Sequence, residues 1–142
     1  MPFSAQEQVH SPITNGPTNA YNADMGVHLE RIQAKTAAYT VKDNEFGTTF
    51  TNRGATASVA FTLPAITSLP SGWWCRFFGV ASAGFSVASN GSNDNIVTKN
   101  DATADSITMT TASLSIGCNV LVIWDGTGWL AISGVSGTYT VA

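Results

Sequence analysis

The residues able to do chemistry in this chain are few, and their placement works against catalysis. The two histidines, His10 and His28, both lie in the N-terminal segment. The two cysteines, Cys75 and Cys118, fall in apolar stretches that read as strands. Nucleophilic catalysis needs a base within hydrogen-bond reach of a Ser or Cys, and an acid to orient that base. Here base and nucleophile sit in different parts of the chain, and no Gly-x-Ser-x-Gly turn is present.

The carboxylates point the same way. Glycoside hydrolysis needs two acids facing each other across a cleft. Beyond residue 37 the acids are Asp43, Glu45, Asp94, Asp101, Asp105 and Asp125, and all fall in or beside turn signals. Such acids accept hydrogen bonds from local backbone N–H groups, and that is the role expected of them. No Cys/His cluster has zinc spacing. No glycine-rich loop with its lysine is present to hold a phosphate. The Asn90–Asn95 stretch with Asp101 is rich in oxygen but lacks the spacing of a calcium loop, so it reads as a polar turn. The expectation is no enzyme, no metal and no cofactor.

The four tryptophans, Trp73, Trp74, Trp124 and Trp129, leave two readings open. Exposed indoles stack on sugars, and amphipathic rings also favour the core and subunit interfaces. Trp73 and Trp74 are adjacent in a strand, so they point to opposite faces. One belongs to the core, and the other needs cover. Trp129 follows a tight turn and closes the hairpin end of the core.

These side chains must be positioned by short β-strands. Residues 37–42, 47–52 and 56–63 read as the first three, and Val59, Phe61 and Leu63 alternate with Ser58, Ala60 and Thr62. Residues 72–80 are apolar on both faces except at Arg76, the pattern of a strand covered on both sides. Strands follow at 85–89, 96–98, 106–111, 118–124, 129–133 and 138–141. The Asp125-Gly126-Thr127-Gly128 turn joins two of them as a hairpin. About eight to ten short strands, roughly 8–12 residues apart, predict an all-β domain over 37–142: a jelly roll or related antiparallel β-sandwich.

Residues 1–36 differ. Their first part is polar and punctuated by Pro2, Pro12 and Pro17. Asp24 as an N-cap, with Met25, Leu29 and Ile32 at i, i+4 and i+7, predicts a short helix over 24–35. The whole segment reads as an extended arm. Met1–Gln8 has neither the basic nor the apolar region of a signal peptide.

Composition narrows the partners. Only 11% of the 142 residues are charged, against about 25% in ordinary soluble domains. The six basic residues are scattered, so several phosphates cannot be neutralised together and nucleic acid is not expected. No apolar run spans a bilayer, so neither is a membrane. Two cysteines inside strands suit reduced, buried thiols made in a cytoplasm. A charge-poor surface suits a chain whose faces meet neighbouring subunits.

Tyr39-Thr40-Val41, then Gly47-x-x-Phe50-x-Asn52-x-Gly54-Ala55, then Val59-x-Phe61-x-Leu63-Pro64, resemble the opening of small β-domains in tailed-bacteriophage virion proteins. The run Val120 to Gly134, with Trp124-Asp125-Gly126-Thr127-Gly128-Trp129 at its centre, is similar to how those domains close. The resemblance covers residues 37–142. It implies a virion structural protein, a capsid decoration (cement) protein, that stabilises a phage head as an oligomer, often a trimer. It implies a location on the capsid surface after assembly in the host cytoplasm. Its partners would be the major capsid protein or other virion subunits, with the arm lashing the domain to the shell. The alternative is a fibre or receptor-binding module that recognises host glycans. Met25, Leu29, Ile32, Trp73, Trp74 and Arg76 are the candidate interface residues.

Overall fold

The computed structural model describes residues 29–91, 94–109, 115–134 and 140–142. The chain divides into two units, Met1–Glu30 and Arg31–Ala142. All described strands belong to the second.

These are β1 (Arg31–Ala34), β2 (Tyr39–Thr40), β3 (Thr48–Thr51), β4 (Val59–Thr62), β5 (Trp74–Phe78) and β6 (Phe85–Ala88). Then come β7 (Ile96–Thr98), β8 (Asp101–Ala104), β9 (Ser106–Met109), β10 (Asn119–Trp124), β11 (Trp129–Gly134) and β12 (Thr140–Val141). Short 3₁₀ turns occupy Asp43–Glu45 and Ile66–Ser68. A 7-stranded sheet runs β1-β3-β5-β10-β11-β7-β8, and a 5-stranded sheet runs β12-β9-β6-β4-β2.

The all-β sandwich is as the sequence indicates, but its sheets are mixed rather than antiparallel. The first six strands alternate between the two sheets. β1, β3 and β5 therefore stand side by side and parallel in the larger sheet, and β2, β4 and β6 do so in the smaller. Parallel neighbours need a crossover between them. Here the crossover is a strand of the opposite sheet. Antiparallel pairing enters with β5–β10, β10–β11, β7–β8, β6–β9 and β9–β12. Hydrophobic alternation reports which face a residue occupies, not the direction of its neighbour.

A second correction concerns the helix over 24–35. Residues Arg31–Ala34 form β1, in parallel register with Thr48–Thr51. Residues 24–28 lie outside the described residues. A helix this short is marginal alone. Along the edge of β3 the same segment finds ladder partners for its backbone groups. The sheet therefore begins at Arg31. β8 is also an addition, since Asp101–Ala104 carries no apolar alternation.

The core lies between the sheets in two aromatic groups. Phe50 stacks on Phe77 with centroids 5.7 Å apart, Phe61 lies 4.9 Å from Phe77, and Phe85 meets Phe61 edge-on. Trp129 packs against Trp73 at 5.7 Å and Trp124 at 5.4 Å. Cys75 and Cys118 are buried with no disulfide, and burial pushes the Cys75 thiol well up.

Candidate functional site

Strand register defines the outer face of the larger sheet. One row runs Ile32, Thr49, Arg76, Leu121 and Ile132 across β1, β3, β5, β10 and β11. The next runs Trp74, Ile123, Leu130 and Val97 across β5, β10, β11 and β7. A third runs Ala34, Thr51, Phe78, Asn119 and Gly134. Arg76 is the one ionisable side chain in these rows, and its guanidinium lies 5.6 Å from the Trp74 ring centroid.

This face is mainly apolar and is exposed away from β3, where Thr49 and Thr51 are buried. Ile32 is 66% exposed, Ile132 59% and Phe78 38%. Trp74, Arg76, Leu121 and Ile123 are half-buried and line a shallow depression of about 230 Å³. The strand expected to be covered on both sides is thus covered on one. Cys75 and Phe77 face the core, while Trp74, Arg76 and Phe78 face outward. Among the described residues no second layer covers Trp74, Arg76 and Phe78.

The candidate residues divide accordingly. Trp73 is buried, and its indole Nε1–H donates to the Asp43 carbonyl at 2.7 Å, so it offers no stacking platform. Trp74, Arg76 and Ile32 share the outer face. Leu29 is exposed ahead of β1. Met25 lies outside the described residues, as do His10 and His28.

Asp125, Asp94 and Asp101 are occupied at turns. Asp125 Oδ1 accepts from the N–H groups of Thr127 and Gly128 at 2.7 and 2.8 Å, and these bonds hold its carboxyl below the usual range. Asp94 accepts from Gly91 N–H, and Asp101 from Thr103 N–H. Among the described residues, no group of three or more His, Cys, Asp or Glu could hold a metal ion.

Glu45 anchors a small network that composition did not reveal. Its carboxylate accepts from Tyr39 Oη–H at 2.8 Å, Gln33 Nε2–H at 3.2 Å and Lys42 N–H at 2.9 Å. Burial alone would raise the Glu45 carboxyl, but these bonds outweigh it and hold the pKa below its ordinary value. The network ties edge strand β1 to the 3₁₀ turn Asp43–Glu45.

That turn also walls a cleft of about 470 Å³, bounded by Asp43, Phe46, Pro70, Ser71, Gly72 and the two adjacent tryptophans. Phe46 is 57% exposed. The signal for it was an aromatic residue in a turn, outside every alternation pattern.

No protein-family model matches this chain, and no curated protein matches it in sequence.

Proposed function

We propose that this chain is a structural subunit of a larger particle: a capsid decoration protein that binds and stabilises a phage head as an oligomer, with a trimer as the working stoichiometry. The observation that carries the reading is the outer face of the larger sheet. Monomeric proteins rarely expose a contiguous apolar patch beyond a few hundred Å². Here three registered rows present Ile32, Trp74, Phe78, Leu121, Ile123, Leu130, Ile132 and Val97 with a single charge. Aromatic side chains and arginine with few other charges are the composition of an interface core. The resemblance of residues 37–142 to small virion β-domains supplies the particle.

The test is co-sedimentation of the full chain with phage heads that lack it. Saturable binding, with the bound chain oligomeric, is expected. Heads that leave the chain in the supernatant at every ratio overturn the reading. The alternative, a module that recognises host glycans, is favoured by one feature, the cleft beside Phe46.

A further inference from the structure

The cleft lies at the end of the sandwich where the 3₁₀ turn Asp43–Glu45 approaches the entry to β5. At about 470 Å³ it falls within the size range of small-molecule sites. Its walls are fixed. Trp73 Nε1–H donates to Asp43 O at 2.7 Å, Gly47 N–H to Trp74 O at 2.7 Å, and Gly72 N–H to Trp124 O at 2.7 Å. Gly47 has φ 70°, and a Cβ there would touch Trp74 Cζ2 at 3.7 Å. That contact is an ordinary one, so it is the positive φ that makes a side chain at residue 47 strain the turn.

The lining combines apolar and polar groups. Phe46 is an aromatic ring the core leaves 57% exposed. The Asp43 carboxylate accepts no hydrogen bond from another described residue, unlike Glu45, Asp94, Asp101 and Asp125. Ser71 adds an exposed hydroxyl.

Charge selects the ligand class. The Arg31 guanidinium lies 4.9 Å from the Phe46 centroid, so a cationic ligand at that ring meets like charge. Asp43 is a lining residue of the cleft, and its negative charge disfavours an anion. A neutral ligand with one apolar face and several hydroxyls suits both, its C–H face on the ring and its hydroxyls donating to the carboxylate. We propose that this cleft binds a pyranose ring of a neutral saccharide. The proposal deepens the alternative reading of glycan recognition and does not depend on the assembly reading. With a single free carboxylate lining it, the cleft binds the sugar and does not cleave it.

The experiment is saturation-transfer NMR and calorimetry on the full chain. The probes are glucose, galactose, mannose, N-acetylglucosamine and their short oligomers, with choline and acetate as charged controls. At least one saccharide is expected to bind with a Kd of about 1 mM or tighter, with saturation on ring C–H protons. Phe46→Ala and Asp43→Asn should each weaken it about tenfold or more, with the circular dichroism spectrum and oligomer mass unchanged. Trp74 is left intact because it also belongs to the outer face. Ile132→Lys should leave saccharide binding unaltered, which separates failure of this site from failure of the assembly reading. The proposal is overturned by no saturable binding across the panel. Equal affinity in both cleft variants overturns it too, as does binding of choline or acetate in place of the sugars.

Discussion

The side-chain amide of Asn52 holds both backbone groups of Ala81. Its Oδ1 accepts the Ala81 N–H at 2.8 Å, and its Nδ2 donates to the Ala81 carbonyl at 3.1 Å. The same amide accepts from Val80 N–H at 2.7 Å and donates to Gly84 O at 3.0 Å. Asn52 is fully buried, so one side chain just after β3 satisfies four backbone groups of the connection from β5 to β6.

Replacing Asn52 with Ala should therefore be costly. Two part-buried N–H groups lose their acceptor, at roughly 1–3 kcal/mol each. The expected loss is about 3–5 kcal/mol, read as a lower urea midpoint at unchanged m-value. A loss under about 1 kcal/mol would mean that water or another group replaces the amide.

Gly79 tests the same connection sterically. A Cβ there would overlap the Ser115 carbonyl oxygen, which is backbone and cannot swing aside. Gly79→Ala should cost about 1–3 kcal/mol in denaturant melts. Gly72→Ala meets no steric obstacle but carries φ 96°, so any loss there reports backbone strain alone.

The Glu45 network sets a pH dependence. Its folded pKa is depressed, so its contribution is complete above the unfolded value of about 4.3 and fades as pH falls through the folded value. Tyr39 has the opposite sign. Burial first, then the Glu45 carboxylate, raises its pKa, so that contribution is lost as pH rises above about 10. Urea midpoints of the wild type and Glu45→Gln should differ at pH 7 and converge near pH 3. A constant difference across that range would remove Glu45 as the titrating group.

The outer face gives a solution prediction. Ile132→Lys places a charge on a residue already 59% exposed, so the fold should survive. Light scattering should show the wild type as an oligomer and the variant shifted toward monomer. A wild type that is monomeric at every concentration would contradict the use of this face between copies.

Deleting residues 1–23 leaves every described strand in place. The truncated chain should melt cooperatively and fail to sediment with heads. Full retention of head binding would assign docking to the sandwich rather than to the arm.

Much of the sandwich was legible because burial writes itself into alternation. Val59 and Phe61 face the core while Ala60 faces out, and β10 repeats the pattern over six residues. The turn glycines were legible for an equally local reason. Gly47, Gly54 and Gly126 carry positive φ, which other residues reach only at a cost. The candidate site was less visible. Asp43 and Phe46 meet Trp73 and Arg31, distant in sequence, and Glu45 joins local partners Lys42 and Tyr39 to Gln33 on β1, so no strand alternation marks them. Arg31–Ala34 reads locally as the end of a helix, and only the open edge of β3 makes it a strand.

Local sequence was enough to make residues 37–142 all-β, to pick out most core side chains and to mark the turns. These depend on local chain conformation and on each strand's own inside–outside period. The tertiary structure decided strand direction, since the first six strands alternate between layers and so pair in parallel within each. It also decided which half of the Trp74–Phe78 strand stays uncovered. Whether an apolar face meets solvent depends on what packs over it, and a single strand carries no record of that.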